Sequence, residues 1–111
     1  MTPAAIQRYI SNPRYAYFAG WLDNQLAGVI AIRNHQHLFH LFVAPPLQGQ
    51  GIARQLWQFA KTDAIVAGNQ DGFTVNSTPY AVPIYERFGF TITGEKVEMN
   101  GIAFIPMQLN L

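Results

Sequence analysis

Apolar and polar positions run in blocks along this chain, and the period of each block names an element. Ile6, Tyr9 and Ile10 share a helical face behind Thr2-Pro3, a capping residue followed by a proline suited to a first helical turn. Asn12-Pro13 closes that run, so a short N-terminal helix is expected. From Tyr15 to Leu22 aromatic and apolar residues crowd together and predict a strand. Asp23-Asn24-Gln25 is turn-forming, and Leu26 to Ile32 predicts a second strand, paired with the first as an antiparallel hairpin. Past the turn Asn34-His35-Gln36, a third strand is expected over His37 to Val43.

The period then turns helical from about Gly51 to Ala67. Ile52, Leu56, Phe59, Ala60 and Ala64 fall on one apolar face, Gln55, Gln58, Lys61 and Thr62 fall on the wet side, and Gly68 ends the run. Phe73 to Asn76 predicts a short strand. Pro83 can open a second helix that continues from Ile84 to Phe88 and stops at Gly89. Phe90 to Thr93 resumes strand, Asn100-Gly101 signals a tight turn, and Ile102 to Leu109 is the last strand. Strand 37–43, joined through the long helix to strand 73–76, should make a right-handed parallel crossover. The expected class is α/β, in an α+β arrangement with a mixed sheet, and 111 residues suit a single domain over 1–111.

Composition narrows the chemistry. Half of the residues are apolar and 14% aromatic, enough for a moderate core. Charged residues make up 12% and the net charge is +1, which gives no basic footprint for nucleic acid and no polybasic membrane patch. The absence of cysteine excludes disulfides, thiolate catalysis and cysteine-bound zinc. His35, His37 and His40 lack carboxylates at ligand spacing, so no metal is expected. Met1 to Ala5 has no basic stretch before an apolar run, and no segment reaches the roughly 18–20 apolar residues of a membrane span. The expectation is a cytoplasmic protein.

The tract Leu41-Phe42-Val43-Ala44-Pro45-Pro46-Leu47-Gln48-Gly49-Gln50-Gly51-Ile52-Ala53-Arg54-Gln55-Leu56 carries the clearest chemistry. An apolar strand ends at two prolines and a helix starts inside a glycine turn. Gly49 and Gly51 let a ligand approach the main chain, and Ala53 keeps the first helical turn slim. About four N–H groups at a helix start lack intrahelical partners and sit at the positive end of the dipole, where a diphosphate can accept from them. The turn has neither the Lys-Ser/Thr pair of a P-loop nor a dinucleotide glycine fingerprint. Taken alone, the six-residue pattern Gln48-x-x-Gly51-x-Ala53 fits an ordinary strand-to-helix turn.

A second run, Asn76 to Phe90, gives the tract its context. Val-x-Pro-x-x-Gln-x-x-Gly-x-Ala at 43–53, followed by Asn-(x)8-Tyr-x-x-x-Gly-Phe at 76–90, resembles the GNAT superfamily of N-acetyltransferases, as does the closing Gly101-Ile102-Ala103-Phe104-Ile105-Pro106-Met107. The likeness covers the chain from Leu26 onward. It implies acetyl-CoA as donor and a primary amine, on a small molecule or a peptide, as acceptor. It places the diphosphate on the amides of Gln48, Gly49, Gln50, Gly51, Ile52 and Ala53, and the pantetheine along Leu41, Phe42 and Val43, where two parting strands leave a crevice. An amide at Val43 would meet the oxyanion, and Arg54 could meet a phosphate or simply be an exposed helix arginine. Asn76 could bond the pantetheine or its own backbone. Tyr85 matches the tyrosine that protonates the departing thiolate, with sheet packing as the plainer use. His37 stands where several such enzymes carry a base, and an exposed strand-start histidine is its plainer reading; Glu98 is a weaker candidate. Tyr15, Tyr17 and Trp21 could line an acceptor cleft or pack in a core or interface.

Relative to that family, the chain is expected to start at the second helix, without the usual first strand and first helix. Strand 15–22 would then be an open aromatic edge, and a homodimer is expected to bury it. A non-catalytic acyl-CoA binding protein of the same fold is the alternative to an enzyme.

Overall fold

The computed structural model describes residues 4–12 and 14–111; Thr2, Pro3 and Pro13, on which the expected helix cap and stop rested, lie outside the described residues. The chain forms two compact units, Met1–Asn69 and Gln70–Leu111.

In the first unit the N-terminal segment is not a helix but strand β1 (Ala5–Asn12), followed by β2 (Tyr15–Leu22), β3 (Gln25–Arg33), β4 (His37–Val43) and helix α1 (Ile52–Val66). β1 pairs antiparallel with β2 from Ala5↔Trp21 to Asn12↔Tyr15, with a register shift between Arg8 and Ile10. That irregularity breaks the two-residue alternation that would have marked a strand, while a helix this short gains little from local propensity. The first element among the described residues is therefore a strand, where a helix was expected. β2 is consequently no open edge: β1 takes one side and β3 the other, so the argument for a dimer through that edge falls.

The β2–β3 and β3–β4 hairpins turn through Asp23-Asn24 and Asn34-His35, all at positive φ, the geometry that matches the twist of paired strands. Helix α1 buries Ile52, Leu56, Trp57, Ala60 and Ala64. Phe59, expected on that face, is 45% exposed and meets Phe18 edge-on at 5.4 Å, while Trp57 is 1% exposed and takes the interior place. A period of 3.6 leaves either flank of the apolar stripe open to the core, and contact with the sheet decides between them. Gly20 and Gly28 let the helix come close: a methyl group on either would stand 3.0–3.3 Å from a Leu56 methyl. Phe18, Ile30, Ile32 and Leu38 complete this core, each at most 2% exposed. The Ala4 amide donates to Gln55 Oε1 at 2.7 Å, which ties the start of the chain to α1.

The second unit is built on β8 (Ile102–Asn110). β5 (Gly72–Ser77), β6 (Thr91–Ile92) and β7 (Val97–Met99) each pair with it antiparallel, and α2 (Val82–Arg87) lies between β5 and β6 in sequence. Asn100 and Gly101, at φ 52° and 78°, make the β7–β8 turn that the Asn-Gly pair predicts. Phe73, Val75, Tyr85, Phe90 and Met107 are buried.

Candidate functional site

Strand β4 carries an extra residue. Its register with β3 runs Arg33↔His37, Ile32↔Leu38, then Ala31↔His40, so Phe39 is inserted opposite a single step of β3. Alternation restarts after the insertion. His37, Phe39, His40 and Phe42 share the sheet face away from α1, and Leu38, Leu41 and Val43 share the face toward it. A strict two-residue period would instead have put Leu41 with His37 and Phe39, and His40 opposite them. The burial agrees: Leu38 is 2% exposed, Phe39 41% and Phe42 52%.

The same ladder decides which way each main-chain group of β4 points. The Ala44 N–H donates to the Ala27 carbonyl at 2.8 Å. By antiparallel alternation Phe42 and Ala44 direct their main-chain groups to β3, while Leu41 and Val43 direct theirs the other way. Phe42 thus spends its main-chain groups on β3, and those of Leu41 and Val43 point away from it. The Val43 carbonyl already accepts from Gln48 Nε2 at 3.1 Å, which pins the loop that follows to the end of β4.

That loop starts as a 3-10 turn over Pro45–Leu47. Gly49 and Gly51 then take φ of 81° and 80°, in the left-handed region that favours glycine. A Cβ on Gly49 would meet nothing within 4 Å, so conformation rather than space demands glycine there. Gly51 is the N-cap of α1 with no side-chain cap, and the first helical bond is Gln55 N–H to Gly51 carbonyl at 3.1 Å. The amides of Ile52, Ala53 and Arg54 thus precede any intrahelical acceptor and point out of the positive helix end. No acidic residue lies in this first turn. Gln48, Gly49, Gln50 and Arg54 are exposed; Gly51 and Ala53 are half-buried. One expected donor is not open: the Gln48 N–H already donates to the Pro45 carbonyl at 3.3 Å, closing the 3-10 turn, so the amides left to the tract are those of the glycine turn and of the helix start.

His37 is half-buried. Burial, and after it the neighbouring Arg33 guanidinium, hold its pKa below the usual 6.5. His40 is exposed, its ring 4.4 Å from that of Phe39. His35 sits in the turn, where its carbonyl accepts from Asn69 Nδ2 at 2.6 Å. Arg33 stands opposite His37, a pairing that the three-residue turn at 34–36 sets and that no motif in the sequence marks. Among the described residues no group of histidine and carboxylate side chains could hold a metal.

In the second unit, Asn76 is exposed near the end of β5, opposite Pro106. Ser77 is buried and donates to the Thr78 carbonyl, and Thr78 Oγ1 accepts from the Ala81 N–H, fixing the turn into α2. Tyr85 on α2 is 8% exposed and packs edge-on against Phe88 and Phe90, with ring centroids at 6.1 and 5.9 Å. Burial pushes its phenol up to about 12, so it stays protonated across the working range. Glu98 is exposed in β7 and pairs with Lys96 at 3.2 Å.

Over residues 1–111 the chain matches the sequence profile of the acetyltransferase (GNAT) domain. No curated protein sequence matches it. Among solved structures it is similar to a GCN5-related N-acetyltransferase from Rhodopseudomonas palustris (TM-score 0.79, 20% identity, 87% of this chain and 62% of that one). It is similar also to a GNAT family acetyltransferase from Elizabethkingia anophelis with acetyl-CoA bound (TM-score 0.78, 16% identity, 100% of both chains). A Bacillus subtilis acetyltransferase in complex with CoA gives a TM-score of 0.74 at 20% identity, over 97% of this chain and 99% of that one. The chain thus spans under two thirds of the first of these proteins and the whole of the second. At these identities the likenesses carry the fold, which is of the expected α/β class with two α-helices among the described residues.

Proposed function

The chain belongs to the GNAT acetyltransferase family, and on that premise we propose that it moves an acetyl group from acetyl-CoA to a primary amine. The observation that carries this reading is the glycine turn capping α1 beside the outward amides of Leu41 and Val43. Two phosphates accept from the loop and helix-start amides, and the pantetheine lies along β4. Donor binding is then a matter of main chain, with Arg54 exposed beside it. A cytoplasmic setting, where this donor is made available, goes with the proposal.

Catalysis is mainly positioning. The amine attacks the thioester carbon, the carbonyl oxygen gains charge, and a β4 amide donates to it. His37 is six residues from Val43, about 20 Å along a strand, and four from Leu41, about 13 Å before the bulge shortens the path. A role for His37 as base therefore goes with Leu41 as the oxyanion donor and with a bridging water. The imidazole, neutral at pH 7, takes the amine proton through that water. As the carbon–sulfur bond breaks, Tyr85 donates to the departing sulfur. Its pKa of about 12 exceeds the ~8.5 of an ordinary thiol, so it acts by hydrogen bonding as charge develops; the net proton is one the attacking nitrogen gives up.

One observation favours the alternative, a non-catalytic acyl-CoA binding protein: the Tyr85 ring is packed among phenylalanines, as a purely structural residue would be. Calorimetry with acetyl-CoA and a thiol-release assay with a panel of amines separate the readings. An enzyme gives heat and free thiol; a binding protein gives heat alone; neither signal overturns the family-based reading of the loop.

A further inference from the structure

The sheet face of the first unit that α1 does not cover is rich in rings. Tyr15 lies 6.0 Å from Tyr17 and 5.4 Å from Phe39, and Phe39 lies 4.4 Å from His40. The β4 bulge brings Phe39 and His40 onto this face together. At its edge, one cross-strand row runs Tyr15↔Arg33↔His37, three side chains on the same side of three adjacent strands.

The charge on this face has one sign. Asp23 and Asp63 are the acidic residues of the first 69 positions. Asp63 faces the other way, paired with Arg8 at 3.4 Å beside α1. Asp23 occupies the β2–β3 turn, at the far end of the strands from Tyr15 and Arg33. Arg33 makes no ion pair among the described residues, and it bears on His37 from across the ladder. A polyamine or aminoglycoside, with several positive charges, finds no counter-charge here. A guanidinium beside aromatic rings complements instead an acceptor with a ring and an anionic group.

We propose that the amine acceptor is an aromatic amino carboxylate, with its carboxylate on Arg33, its ring against Tyr15 and Phe39, and its amine toward His37. This rests on the acetyl-transfer reading above and names the substrate class of that same site. Phe39 and Tyr15 set the ring preference, and Arg33 sets the preference for the acid over the corresponding decarboxylated amine. The bond formed is the amide at the acceptor nitrogen; the bond broken is the thioester, and the products are the N-acetyl amino acid, free thiol and one proton.

The test is thiol release at pH 8, where His37 is neutral, with L-phenylalanine, phenethylamine and spermidine. The expected kcat/KM for L-phenylalanine exceeds that for phenethylamine by at least about tenfold, and spermidine is the poorest of the three. Arg33→Gln collapses the phenylalanine-to-phenethylamine ratio toward one. Phe39→Leu raises KM for both aromatic amines, and calorimetry shows acetyl-CoA affinity kept in each variant, which also reports that each is folded. Preference for spermidine, or a ratio that survives Arg33→Gln, overturns the acceptor class and leaves acetyl transfer standing. Release with none of the three also overturns the acceptor class, and the wider amine panel, read beside acetyl-CoA calorimetry, then decides acetyl transfer by itself.

Discussion

The Gln48 side-chain amide donates to the Val43 carbonyl at 3.1 Å, and so the loop that would receive phosphate is tied to the strand that would receive pantetheine. The bond is exposed, and its contribution to stability is small, about 0.5 kcal/mol. Its value lies in preorganisation. Gln48→Ala is expected to leave the unfolding midpoint nearly unchanged and to weaken acetyl-CoA binding about fivefold, the equivalent of roughly 1 kcal/mol. Calorimetry beside a thermal melt checks both halves; an equal loss in both would make Gln48 a folding residue.

Gly28 is where β3, β4 and α1 converge. A methyl group there would stand 2.5 Å from the Phe42 carbonyl oxygen and 3.0 Å from Leu56 Cδ1. The oxygen belongs to a paired strand and cannot step aside cheaply. Gly28→Ala should cost about 2–3 kcal/mol, read as a lower urea midpoint at unchanged slope.

Tyr85 gives a prediction in alkali. Its folded pKa of about 12 lies above the ordinary 10, so its contribution is fully present below pH 10 and is lost as pH climbs through 12. The size is on the order of 3 kcal/mol. Stability of the wild type should fall over that window, and Tyr85→Phe should flatten the fall. In turnover the same variant should lose about 10²-fold in kcat while its affinity for acetyl-CoA stays put.

For His37 the sign is opposite. Its folded pKa lies below 6.5, so the neutral ring's contribution is present above 6.5 and is lost as pH drops through the folded value. A kcat/KM profile should therefore hold its plateau to below pH 6.5 before descending. Arg33→Gln should move the descent slightly toward higher pH, slightly because burial is the larger cause. His37→Gln should abolish the limb; a limb that persists assigns the base elsewhere.

Much of this was legible in the chain. Tyr15–Leu22 and His37–Val43 are strands with the bounds that their apolar runs predict, because turn residues bracket both. The glycine loop was legible because glycine takes the left-handed φ at 49 and 51 without steric cost. What escaped shares a cause: dependence on partners distant in sequence. The bulge near Arg8 hid β1, three residues were too few to announce β7, and the exchange of Phe59 for Trp57 is decided by the sheet beneath α1. The inserted Phe39 left no local mark, so the true company of His37 on its face shows only in the ladder.

That one extra residue in β4 separates two kinds of inheritance. The outward amides at 41 and 43 persist under almost any substitution, since every residue except proline has one, whereas the rings and charges at 33, 37, 39 and 40 can be exchanged one by one. A lineage could therefore retune what it modifies without ever loosening its hold on the reagent that does the modifying.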